Sequence, residues 1–92
     1  MTTLMFCVLP QRLTEREARQ TLQGLRAQLA SLPAGEPAQI DAAGLQEFDS
    51  TALAVLLELR RNALAGGRAF SVLNAPTRLR ELARLYGLAD WL

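Results

Sequence analysis

Apolar residues fall alternately in short runs and in stripes of helical period. Leu4-Met5-Phe6-Cys7-Val8-Leu9 is a compact apolar run rich in strand formers and stopped by Pro10, which predicts a first strand buried on at least one face. Thr14 and Glu17 have the spacing of a capping box, and Ala18, Leu22, Leu25, Leu29 and Leu32 follow at alternating steps of four and three, so an amphipathic helix is expected here. Arg16, Arg19, Gln23 and Arg26 would form its solvated face. Pro33, Gly35 and Pro37 then end the helix and turn the chain.

Residues 38–45 form a weaker strand candidate with few β-branched residues, placed in the sheet because an extended link is needed between two helices. Asp41 is expected at the end of this strand, bonded to a loop N–H, with a tight bend at Gly44. A second helix is expected from about Ser50 to Ala65, closed by Gly66-Gly67. Residues 69–73 read as the next strand. Pro76 fits the first turn of a third helix carrying Leu79, Leu82, Ala83 and Tyr86 on one face and ending at Gly87. Leu88, Trp91 and Leu92 make an apolar tail expected to dock on the body of the domain or, as the alternative, on another subunit. The order strand, helix, strand, helix, strand, helix implies a small α/β domain with a mostly parallel or mixed central sheet and right-handed crossovers.

The second helix carries more apolar surface than a single sheet face can cover. Projected at about 100° per residue, Ser50, Thr51, Glu58, Arg61 and Asn62 share a polar arc, while Ala52, Leu53, Val55, Leu56, Leu57, Leu59, Ala63 and Leu64 fill the rest. Either the Val55/Leu59 edge or the Leu53/Leu57/Leu64 edge is then a candidate docking strip beside Ser50, unless neighbouring elements cover both. Asp49-Ser50-Thr51, which opens this helix, offers Asp49 or Ser50 as the N-cap and leaves a hydroxyl over. A hydroxyl pair at the positive end of a helix dipole is also a place where a phosphate would be stabilised.

Composition narrows the chemistry. The 92 residues suit one domain, residues 1–92, and the single cysteine excludes an internal disulfide. With no histidine in the chain, Cys7 has no imidazole to activate it and is expected to be a small core residue. No metal-ligand cluster or phosphate loop is spelled out, and the carboxylates Asp41, Glu47 and Asp49 lack an evident acid or base partner, so an enzyme is not expected. No cofactor is expected either. A signal peptide is not evident, and no apolar stretch approaches the roughly 20 residues of a membrane span, which points to a cytoplasmic protein without direct membrane insertion. The net charge of +1 gives no bias toward nucleic acid. Its distribution is uneven: residues 1–58 hold four arginines against seven acidic residues, and residues 59–92 hold six arginines against Glu81 and Asp90. The basic C-terminal portion is either a solvated face or a partner surface.

In this order of elements, Ile40-Asp41 followed by Phe48-Asp49-Ser50-Thr51-Ala52-Leu53 resembles the STAS domain, named for sulfate transporters and anti-sigma factor antagonists. The family pattern is a strand ending in Asp, a short loop, and Asp-Ser/Thr-x-Gly/Ala-Leu opening a helix. Leu13-Thr14 and Leu82-Ala83-Arg84-Leu85-Tyr86-Gly87-Leu88 are similar to the MlaB-like branch, small cytosolic subunits of the Mla phospholipid ABC transporters of Gram-negative bacteria. The sequence departs from the pattern at Ala52, where many members have Gly, and at Pro10, near a usual Gly. The resemblance implies a non-catalytic accessory subunit docked on the ATPase of such a transporter, and through it on a permease complex. Its phospholipid traffic would run between inner and outer membrane, with the subunit peripheral to the inner membrane. Ser50 would be the leading contact, supported by Asp49 and Thr51, with Ala54, Leu57 and Arg61 along the same helix. The alternative that the resemblance carries is an anti-sigma factor antagonist controlled by phosphorylation, with Thr51 or Ser50 as the phosphoacceptor.

Overall fold

The computed structural model describes residues 6–88. Eight elements follow one another: β1 (Phe6–Val8), β2 (Arg12–Leu13), α1 (Glu15–Ala30), β3 (Ala38–Asp41), β4 (Glu47–Phe48), α2 (Ser50–Ala65), β5 (Phe70–Leu73) and α3 (Thr77–Leu85). β1, β3 and β5 form a parallel sheet in that order, with Cys7, Ile40 and Val72 in register across it. Because the strand order advances in one direction, right-handed crossovers place α1 and α2 side by side on one face.

That face is the core. Cys7, Leu9, Ala38 and Ile40 point into it, and Leu25 and Leu29 of α1 and Ala52, Val55, Leu56 and Leu59 of α2 close over them. The strand period of two sends Val8 to the opposite face, where it is 59% exposed. Burial pushes the Cys7 thiol above its ordinary pKa, so it stays protonated and behaves as a small apolar side chain. On α3, Leu79 and Ala83 are buried and Leu82 half-buried against the core as the helical period predicts, whereas Tyr86, expected on the same face, is the C-cap and stands 59% exposed because the helix ends before it.

The observed strands are shorter than the apolar runs that announce them. Residues 1–5 and 89–92 lie outside the described residues, and with them Leu4 and Met5 of the expected first strand and the expected docking of Trp91 and Leu92. The third strand ends at Asp41 instead of reaching Leu45, because Asp41 Oδ1 accepts the Ala43 N–H at 2.9 Å and turns the chain there. The bond expected of this aspartate is present. Pro76 is the N-cap of α3 instead of a first-turn residue, since its extended ψ of 148° sets the entry and helical geometry starts at Thr77.

The two shortest strands have no counterpart in the hydrophobic pattern. β2 and β4 pair in parallel, Arg12 with Glu47 and Leu13 with Phe48. Leu13 and Phe48 are buried under this pair, and Arg12 Nε reaches Glu47 Oε2 at 3.7 Å on its outer side. β2 leads directly into the cap of α1 and β4 into the cap of α2. The small pair therefore ties the two helix starts together at one end of the domain.

Candidate functional site

Asp49 alone caps α2. Its backbone is extended (φ −130°, ψ −165°), and Oδ1 accepts the Thr51 backbone N–H at 2.9 Å. Ser50 and Thr51 are the first two residues of the helix, and neither hydroxyl makes a hydrogen bond among the described residues. The sequence left one hydroxyl spare; the structure leaves both. Ser50 is exposed and Thr51 half-buried.

The two hydroxyls point to different grooves. Ser50 lies with Leu53, Ala54 and Leu57 of α2 and with Tyr86 and Leu88 beyond α3 in an apolar groove of about 250 Å³. Thr51 lies on the other side of the helix, with Ala54 and Val55 facing Ala18 and Leu22 of α1 in a groove of about 290 Å³. Ala54 borders both, so the exposed crest of α2 is low at its centre and would admit a partner backbone closely. Only a methyl group stands there.

This geometry decides which apolar edge of α2 is at the surface. Val55 and Leu59 are buried beneath α1 and the sheet, and Leu53 is buried as well, so neither expected edge is free as a whole. What remains is Ala54, half-buried Leu57 and Leu64, the last 49% exposed. Ser50, Ala54, Leu57 and Arg61 thus share one accessible strip, whereas the carboxylate of Asp49, itself exposed, is engaged by the cap bond and Thr51 lies on the α1 side. Arg61 pairs with Glu58 at 3.1 Å, and Glu58 also holds Arg26 of α1 at 3.0 Å, fastening the two helices midway along their length. Glu58 is half-buried by this arrangement, not on a freely solvated arc.

Tyr86 and Leu88 complete the groove and were not apparent as site residues from the sequence. They arrive there through the end of α3, where Gly87 takes φ +70° and the Leu88 N–H returns to the Ala83 carbonyl at 2.8 Å. This turn folds Leu88 back onto the core and leaves Tyr86 59% exposed beside Ser50. Gly87 carried the signal for the turn. The direction in which it sends the chain is a tertiary property.

Arg78 of α3 stands over the Phe48 ring, 5.5 Å from its centroid, and braces the residue preceding the cap. At the start of α1, Glu17 Oε1 accepts both the Thr14 backbone N–H at 2.9 Å and the Thr14 hydroxyl at 2.7 Å, so the glutamate half of the expected capping box is formed. The Thr14 hydroxyl, then the Thr14 N–H, hold the Glu17 carboxyl below the usual glutamate pKa. Among the described residues no cluster of three or more His, Cys, Asp or Glu could hold a metal ion, and no helix is long and apolar enough to cross a membrane. This end presents the exposed Ser50 and half-buried Thr51 hydroxyls, shallow apolar grooves, guanidinium groups and the exposed carboxylates of Glu47 and Asp49. Such a surface suits recognition of another protein.

A small parallel α/β layer with an Asp-capped Ser-Thr helix start at its rim defines a STAS-type domain. The family model described as "Mlab, STAS domain" matches residues 12–92, and the chain belongs to this family. The fold is also that of an anti-sigma-factor antagonist (STAS) domain protein from Planctomyces limnophilus. That structure superposes with a TM-score of 0.79 at 18% identity, over 97% of this chain and 81% of the other. No curated protein matches the chain.

Proposed function

We propose that this STAS domain is a non-catalytic accessory subunit that docks on the ATPase of an Mla-type ABC transporter and stabilises or tunes it. The transporter would carry phospholipid between inner and outer membrane, and the subunit would sit on the cytoplasmic side, peripheral to the inner membrane through the complex. The observation that supports this most is the accessible strip of α2, where Ser50, Ala54 and Leu57 line an apolar groove and the Ser50 hydroxyl is not consumed by the cap. Membership of the MlaB-type family supports the choice of partner. The nucleotide chemistry belongs to the partner in this reading.

Co-purification with an Mla-type ATPase from the same genome tests it. Wild type should form a complex, and Ser50→Arg and Leu57→Asp should lose it while remaining folded. Equal binding by both variants would remove α2 as the docking face.

A second reading, an anti-sigma factor antagonist, is favoured by one observation: among the described residues neither the Thr51 nor the Ser50 hydroxyl, at the first turn of α2, makes a hydrogen bond. A phosphate on either would add about −1.5 to −2 charges at the helix start. Intact mass after incubation with candidate serine kinases and ATP distinguishes the two. A phosphorylated species whose partner binding is lost favours the antagonist, and an unmodified chain that binds the ATPase favours the accessory subunit.

A further inference from the structure

Leu88, the last of the described residues, lines the groove beside Ser50 together with Leu53, Leu57 and Tyr86, and the turn at Gly87 has directed the backbone there. Ala89-Asp90-Trp91-Leu92 follow it in the sequence. An extended chain advances at most about 3.6 Å per residue, so the Trp91 backbone stands within about 11 Å of Leu88 whatever path it takes. The groove is the apolar surface at hand.

The segment is patterned for such a surface. Leu88, Trp91 and Leu92 are spaced i, i+3 and i+4, which puts them on one face of a helical turn, and Leu88 already presents that face to the groove. Asp90 is its one charged side chain. The size fits as well: a groove of about 250 Å³ falls below the roughly 300–1,000 Å³ of small-molecule sites and holds one large side chain. Tyr86, 59% exposed, and the half-buried Leu57 and Leu88 supply the apolar surface that an indole would cover. A tethered side chain reaches it without the cost that a separate molecule meets on association. Ordering four residues offsets much of what burial of the indole gains, so such a seat is held loosely.

We propose that the groove beside Ser50 is the seat of the chain's own residues 89–92, with the Trp91 indole between α2 and Tyr86. Resting on the docking reading above, the seated segment covers the Leu57 side of the docking strip, and a partner docks on α2 only where Trp91 has swung out. The contact is autoinhibitory: it lowers the apparent affinity for the partner in proportion to the fraction of chains left open.

Trp91 is the one tryptophan of the chain, so its fluorescence in the intact protein reports the seat alone. Folded wild type should emit to the blue of the urea-unfolded chain and be quenched by acrylamide at least about twofold less efficiently, with no change on about hundredfold dilution. Leu57→Asp, and Tyr86→Ala at an exposed position whose loss spares the core, should move both readings toward the unfolded values with circular dichroism unaltered. Val8→Asp, on the face of the sheet away from α1 and α2, should leave them as in wild type. Unfolded-like emission from folded wild type would overturn the proposal. So would a shielded indole indifferent to both groove variants, which seats it elsewhere, or one released by dilution, which seats it on a second copy. Affinity for the purified Mla-type ATPase tests the autoinhibition: Trp91→Ala should bind about three- to tenfold tighter than wild type, the gain from removing a seat about two-thirds to nine-tenths occupied. Equal affinities would remove the autoinhibition and not the seat, which fluorescence decides by itself. Binding by neither protein would remove the docking reading and the autoinhibition with it.

Discussion

Asp49 Oδ1 accepts the Thr51 N–H at 2.9 Å, and this one bond both starts α2 and frees the two hydroxyls beside it. Capping and recognition are divided among adjacent residues: Asp49 holds the first turn, Ser50 faces the α3-side groove, and Thr51 faces α1. Asp49→Ala should therefore cost about 1 kcal/mol of stability in urea denaturation. Asp49→Ser should recover most of that loss. If Asp49→Ala is as stable as wild type, the cap is not what holds this turn.

The carboxylate of Glu17 gives the acid limb a direction. Its pKa is lowered in the folded chain, first by the Thr14 hydroxyl and then by the Thr14 N–H. A depressed carboxylate contributes stability that is present above its unfolded pKa and lost as pH falls through the folded one. Glu17→Gln should accordingly flatten the decline in stability below about pH 4.5. Unfolding midpoints measured across pH 3 to 7 report it, and an unchanged acid limb in Glu17→Gln would remove this group as a contributor.

Arg68 closes the turn after α1 without touching the docking face. Its Nη1 donates to the carbonyls of Pro33 and Glu36, both at 2.8 Å, and Nη2 donates to Leu32 at 2.9 Å. The Pro33 carbonyl also accepts the Glu36 N–H at 3.1 Å, so the carbonyls of Leu32 and Glu36 are the ones that depend most on this guanidinium. Arg68→Met should destabilise by about 2 kcal/mol and speed hydrogen exchange in residues 31–37, with partner binding unchanged in what remains folded. Arg68→Lys should recover only part of the loss, since a point charge cannot span three acceptors.

Where a signal is local in the chain, it was legible in the sequence. Thr14 and Glu17 are one helical turn apart, Asp49 sits beside the N–H it caps, and Gly66-Gly67 closes α2 with Gly67 at φ +75°. The β2–β4 pair was not legible, because two-residue strands are shorter than the period by which strands are recognised and Arg12 meets Glu47 only through the fold. The width of the apolar arc on α2 was visible as well, but not its covering. Which residues stay accessible depends on α1 lying over Val55 and on the turn at Gly87 bringing Tyr86 and Leu88 alongside Ser50. Family resemblance supplied the partner, which no periodicity in these residues contains.

The docking role of α2 is tested most directly at Ala54, the exposed methyl that borders both grooves. Affinity for a purified Mla-type ATPase should be measured by isothermal titration for wild type and Ala54→Arg, alongside their thermal midpoints. A docked α2 requires binding to fall at least about tenfold in Ala54→Arg, because a bulky cation would occupy the place of closest approach, while the midpoint stays within about 3 °C of wild type. Equal affinity of the two proteins would contradict it.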